Sequence, residues 1–130
     1  LAVCAADVFL GVGFLGGRLD HQLAAFSALL KDQRPVVLVD EDQLVFMVPA
    51  QFEIDLEEGL PVGFYPMLQV QVTLQGVQWP LRDTDMHPAG QIATSNISSG
   101  EPLRVQTDGP GLLAILPARC LGVVLSVLRG

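Results

Sequence analysis

Gly16-Gly17-Arg18-Leu19-Asp20-His21 joins two segments with different hydrophobic periods. Before it runs Val8-Phe9-Leu10-Gly11-Val12-Gly13-Phe14, and after it Gln22-Leu23-Ala24-Ala25-Phe26-Ser27-Ala28-Leu29-Leu30. The first segment reads as a strand over 8–14, and its near-continuous apolar character suits a parallel strand covered on both faces. The second predicts a helix over 19–31 with Leu19, Leu23, Phe26 and Leu30 on one face. A strand, a glycine turn and a helix N-terminus together make an anion site. Glycines let the backbone approach closely, and the first helical N–H groups lack intrahelical partners. Here Gly16 and Gly17 offer backbone to a phosphate, and Arg18 can fork onto its oxygens. Asp20 can cap the helix, hold a metal ion or accept a proton. A plain turn followed by an N-cap accounts for the same residues.

Working outward, Pro35 ends the helical pattern and the chain changes character. Val36–Val39 and Leu44–Val48 flank the acidic turn Asp40-Glu41-Asp42-Gln43 and read as a hairpin. Phe52, Ile54 and Leu56 alternate with Glu53, Asp55 and Glu57, the pattern of a half-buried strand. Short strands are expected over 62–67, 69–74, 77–81, 103–107 and 112–116, and 97–102 reads as a turn. Residues 82–91 read as a loop, in which Asp83, Asp85 and His87 form a superficial metal triad or a merely solvated surface. No long helical pattern follows Pro35, so a β-sandwich or barrel-like domain is expected there. The apolar tail from Leu121 to Leu128 reads as a local extension of an edge strand that packs into this domain or a partner subunit.

The totals narrow the function. A net charge of −7 and seven scattered basic residues disfavour nucleic acid as partner. Cys4 and Cys120 lie in apolar surroundings without metal-ligand spacing, and read as buried thiols rather than a bridge. No apolar run approaches the ~18 residues of a membrane span, and the start lacks a basic leader, so no membrane partner and a cytoplasmic location are expected. Residues 1–7 read as the tail of a helix cut mid-element, which predicts a fragment of a longer chain.

The stretch from Leu15 to Ala24 resembles the Gly-Gly-Arg-x-Asp-His segment of thiamin pyrophosphokinases. The resemblance continues in order: Thr73-Leu74-Gln75-Gly76-Val77-Gln78-Trp79-Pro80-Leu81 is similar to a hairpin of that family, and Thr94-Ser95-Asn96 to its Ser/Thr-Ser-Asn segment. Gly109 to Leu116 is similar to its terminal strand, so the likeness spans residues 8 to about 116.

The resemblance implies the end of a Rossmann-like α/β domain over 1–34, followed by an all-β sandwich that binds thiamin over 35–130. The implied reaction moves pyrophosphate from ATP to the thiamin hydroxyl, leaving AMP, with Mg2+ to spread the phosphate charge. Gly16, Gly17 and Arg18 would hold phosphate, Arg18 and Asp20 would be catalytic, and Asp20 would bind the metal in preference to acting as a base. His21 would touch substrate or orient Asp20. Thr94, Ser95 and Asn96 would bind thiamin by hydrogen bonds, although a turn or strand-edge bond explains Ser95 and Asn96 equally. Trp79 would stack on a thiamin ring, or else pack in the core or an interface. The family's Asp-rich magnesium and ATP motif does not occur in these residues, so the fragment is expected to be inactive alone. The resemblance further implies a homodimer whose β-domains complete each other's site. A non-catalytic β-sandwich module for ligand binding or oligomerisation is the alternative.

Overall fold

A computed structural model describes residues 8–32 and 34–129. The expected helix end over 1–7, with Cys4, lies outside them. The described chain runs β1 (Phe9–Val12), α1 (Leu19–Lys31), β2 (Val36–Val39), β3 (Gln43–Met47), β4 (Gln51–Ile54) and β5 (Pro61–Pro66). It continues through β6 (Val70–Gln75), β7 (Leu81–Met86), β8 (Ala93–Ile97), β9 (Leu103–Thr107) and β10 (Leu112–Pro117). A 3-10 turn over Ala118–Cys120 then leads into α2 (Leu121–Arg129).

Two sheets form. A six-stranded sheet has the order β1-β2-β3-β10-β5-β8, and a four-stranded sheet the order β4-β9-β6-β7. The large sheet is covered twice, which explains the unbroken apolar runs of β2, β3 and β10. On one face Leu38, Val45 and Leu113 meet Ala25 and Leu29 of α1. On the other, Val37, Leu44, Phe46, Ala114 and Leu116 pack against the small sheet's Phe52, Ile54, Val72, Leu74, Leu103 and Val105. The small sheet turns its other face to water, so Glu53, Gln71, Arg104 and Gln106 alternate with its buried residues. The hairpin of β2 and β3 forms as expected, and the Asp40 carboxylate closes its turn by accepting the Asp42 and Gln43 N–H groups at 2.8 Å.

Several expectations are corrected. β1 is shorter than 8–14; among the described residues it pairs with β2 alone, in parallel, and Leu10 and Val12 are exposed. The buried line of α1 runs through Ala25 and Leu29 with Phe26 of the expected face packed against it, while Leu19 and Leu23 face solvent. Only the second half of that helix lies on the sheet, where the small Ala25 permits close approach. The strand expected over 77–81 gives way to a turn with one isolated bridge at Val77, and residues 81–86, read as a loop from 82, form β7. Its Asp83 has φ 43 within a bulge opposite Thr73, which shifts the inward positions and hides the two-residue period. The tail is the helix α2, not a strand extension. Cys120 and Val124, four residues apart, enter the core shared by the two sheets, with Leu121, Leu125 and Leu128 packed against it. The tail thus packs into this domain. Its Val and Leu content reads as strand locally, but only a helix brings those positions to one face. Burial also pushes the free Cys120 thiol up.

The six-stranded sheet runs without interruption across position 34, because β1 joins β2 in register from Phe9↔Val36 to Val12↔Val39. The crossover is tied at its end by Arg34. Its guanidinium lies 4.5 Å from the Phe9 ring centroid and bonds both Asp32 oxygens. Hydrogen bonds from Arg34 hold the Asp32 carboxyl down at about 2.

Two outcomes test this description. A depressed carboxyl favours the folded state above its ordinary pKa, and that contribution fades as pH falls toward 2. In a carboxyl NMR titration, Arg34→Gln should therefore move the Asp32 midpoint up toward the ordinary 3.8. Gly76 has φ 84, and a Cβ there would sit 2.2 Å from the Pro102 carbonyl oxygen. By urea unfolding, Gly76→Ala should lose on the order of 1–3 kcal/mol from backbone strain, and more from the clash. Gly109→Ala, with nothing within 4 Å of its Cβ, should stay within about 0.5 kcal/mol of the parent.

Candidate functional site

The residues singled out in the sequence fall into two groups. The first is the turn from β1 into α1. Gly16 and Gly17 have φ 76 and 71, a left-handed pair that side chains resist. Arg18, not Asp20, occupies the helix cap, and it makes no side-chain cap bond. Asp20 lies in the first turn, where a carboxylate suits the helix dipole. Its oxygens accept Arg18 Nε at 3.1 Å and Nη2 at 2.6 Å. The His21 backbone N–H also donates to Asp20 Oδ1, at 3.0 Å. All three side chains are exposed, so the Arg18–Asp20 pair is readily exchanged for a charged ligand.

The second group lies on β8. Between Val62↔Asn96 and Phe64↔Ala93 the pairing with β5 slips, so Thr94 and Ser95 together oppose Gly63. Ser95 takes φ 66 to make this bulge. The result breaks strand alternation: Thr94 and Ser95 are both exposed, and both border two clefts. One cleft, of about 440 Å³, is lined by Val62, Gly63, Ile115 and Leu116 with Asp42 and Gln43 at its rim. The other, of about 260 Å³, is lined by Trp79, Leu81, Gln91 and Ile92. Trp79 is 57% exposed, so it is not a core residue. Asn96 is buried, and its carboxamide bonds the Trp79 backbone.

β1, which leads into the first group, and β8, which carries the second, lie at opposite edges of the six-stranded sheet, five inter-strand spacings or roughly 24 Å apart. Among the described residues, no three His, Cys, Asp or Glu side chains cluster to hold a metal ion. In the sequence-suggested triad, Asp83 Oδ1 instead accepts from the Thr73 hydroxyl, and His87 Nδ1 accepts the Ala89 N–H. Sequence reasoning did not identify Gly63, which faces the bulge. A glycine inside an otherwise apolar strand is the signal that marks such a place.

Ser95 carries backbone strain worth about 1–2 kcal/mol. Ser95→Gly should therefore match or exceed the parent's urea midpoint. Ser95→Val, whose branched side chain resists positive φ, should fall below it by about 1–3 kcal/mol.

Residues 51–112 match the family described as thiamin pyrophosphokinase, vitamin B1 binding domain. Thiamine pyrophosphokinase 1 of Oryza sativa subsp. japonica is 35% identical over 105 residues, covering 75% of this chain and 40% of that protein. Thiamine pyrophosphokinase 1 of Arabidopsis thaliana is 34% identical over 115 residues, covering 82% of this chain and 43% of that one. The chain thus spans about two fifths of the length of these curated relatives. The crystal structure of thiamine pyrophosphokinase from Bacillus subtilis shares the fold, with a TM-score of 0.71 at 23% identity over 86% of this chain and 55% of that one. The Candida albicans thiamin pyrophosphokinase gives a TM-score of 0.74 at 16% identity, covering 86% of this chain and 46% of that one. The turn before α1, the bulged β8 and the Trp79 cleft therefore sit in a chain that belongs to the thiamin pyrophosphokinase family.

Proposed function

We propose that this chain is the C-terminal, thiamin-binding portion of a thiamin pyrophosphokinase, which transfers pyrophosphate from ATP to thiamin and releases AMP. The observation that carries the reading is the cleft of Trp79, Thr94 and Ser95, which lies wholly within the matched vitamin B1 binding segment. The exposed indole gives a flat surface for a heteroaromatic ring, and a thiazolium cation gains from such a face. Thr94 and Ser95 offer hydroxyls at the same rim.

Gly16, Gly17 and Arg18 take the phosphates in this reading, with Arg18 turning from Asp20 to the new anion. His21 stands beside them on the substrate side. Magnesium spreads charge over ATP's phosphates when bound. It commonly takes one or two carboxylates besides phosphate oxygens, and Asp20 fits one such position. The remaining ligands and the ATP site belong to chain outside these residues. The protein is proposed to work in the cytoplasm, and no described helix is long and apolar enough to cross a membrane.

The separation of the two groups supports a homodimer. Thiamin is far shorter than the roughly 24 Å between the sheet edges. A two-fold partner can bring the Gly16–His21 turn of one copy to the β8 edge of the other.

The complete protein, mixed with thiamin, ATP and magnesium, should yield thiamin diphosphate and AMP in equal amounts. Thiamin monophosphate with ADP would overturn the pyrophosphoryl reading. Asp20→Asn and Trp79→Ala should each cut turnover or thiamin affinity strongly in a folded protein. Co-refolding the two impaired variants should restore roughly a quarter of wild-type sites, read at thiamin concentrations well below KM, because each mixed dimer keeps one intact site. No restoration would place both groups in one subunit's site.

A further inference from the structure

Asn96 is committed to Trp79. Its Oδ1 accepts the Trp79 N–H at 3.2 Å and the Ile97 N–H at 2.9 Å, and its Nδ2 donates to the Trp79 carbonyl at 3.0 Å. A carboxamide offers the same donor and acceptor as a peptide group. Here it continues a ladder already begun by the backbone. The Ser99 N–H donates to the Gly76 carbonyl, Val77 bridges Ser98, and the Gln78 N–H donates to the Ile97 carbonyl at 2.8 Å. The Asn96 side chain carries that pairing one residue further, to the Trp79 backbone. The side chain so engaged is 4% exposed, whereas the tryptophan it holds is 57% exposed. The Asn96 bonds are to the Trp79 backbone N–H and carbonyl, so they set the stretch of chain from which the exposed indole projects. They fix the position of a recognition surface, since an aromatic platform binds better when its geometry is set beforehand.

We propose that Asn96 is a positioning residue for Trp79, acting on thiamin through the indole rather than by direct contact. The inference rests on the thiamin-binding reading of the Trp79 cleft and revises the direct hydrogen-bonding role that the sequence suggested for Asn96.

Trp79 is the single tryptophan of this chain, so its fluorescence reports the platform without a ligand. In the ligand-free chain, Asn96→Ala should speed the decay of Trp79 anisotropy and raise its acrylamide quenching. Ser98→Ala is the control. Ser98 is also buried and bonded, to the Leu60 N–H and the Glu57 carbonyl, but its side chain makes no bond to Trp79. It should lower stability and leave the indole signal unchanged. Thiamin binding by calorimetry on the complete protein supplies the second readout. Trp79→Ala should weaken binding about tenfold, within the range of a ring–cation contact. Asn96→Ala should weaken it by less than that, and the double variant should bind no worse than Trp79→Ala alone. Multiplying effects in the double variant would mean direct contact by Asn96 and would overturn the proposal. Unchanged anisotropy in a folded Asn96→Ala chain would also overturn it. If Asn96→Ala does not fold, Asn96→Asp retains the acceptor and loses the donor, and the same two comparisons apply. Thiamin failing to bind the wild-type protein would defeat the thiamin reading, while the anisotropy contrast would still decide the Asn96–Trp79 link.

Discussion

Ala114 sits between Phe46 on β3 and Phe64 on β5, directly opposite each in register. All three are essentially excluded from water. A small residue flanked by two aromatic rings lets the rings fill the space that it leaves, and interiors tolerate neither a void nor an extra methyl group well. This row fixes how β10, the last strand of the chain, enters the middle of the six-stranded sheet. A slip of one residue would turn Leu112, Ala114 and Leu116 from the sandwich face to the helix face. The sheet's two outer edges, where both groups of candidate functional residues sit, inherit their positions from this centre.

The covering layers follow from the same pairing. α1 covers one face and the small sheet the other, with Cys120 of the 3-10 turn and Val124 of α2 entering the sandwich core. Along the large sheet, cover is complete at β3 and β10 and gives out at β1, where Leu10 and Val12 are left exposed. At the opposite edge, β8 does not end in regular pairing but bulges at Thr94 and Ser95. The bulge directs two neighbouring polar side chains outward and leaves Asn96 buried beneath Trp79. Bulges at sheet edges commonly re-aim side chains in this way. Here the bulge opens the clefts on either side of Ser95.

The two groups differ in electrostatic character. The turn before α1 carries an exposed ion pair at a helix N-terminus, a setting where charged ligands exchange easily. The β8 cleft carries an exposed indole, hydroxyls and a buried amide, a setting for a flat, polar-edged ring. The sheet order sets β1, before the turn, and β8 at opposite edges of the large sheet.

Much of the architecture is legible in the residues themselves. The helix over 19–31, the hairpin around Asp40 and most short strands follow from local period and turn chemistry, because those signals act over a few residues. The glycine turn and the segments around Trp79 and Ser95 are likewise visible, and they carry the family likeness. Four features depended on contacts between distant parts of the chain. β7 looks like a loop because Asp83 interrupts its alternation, and only pairing with β6 makes it a strand. α2 looks like a strand because its Val and Leu residues suit one, and only the open side of the sandwich selects a helix. The buried face of α1 was set by the sheet beneath it, not by its own apolar stripe. The role of Asn96 turned on Trp79, seventeen positions away, because a side-chain amide shows its function only by what it bonds. Sequence by itself determined most of the elements and the family likeness. Tertiary structure decided which faces are buried, which residues share a cleft, and that the strands beside the two groups of candidate residues lie at opposite edges of one sheet, because burial and hydrogen bonding are settled between segments rather than within them.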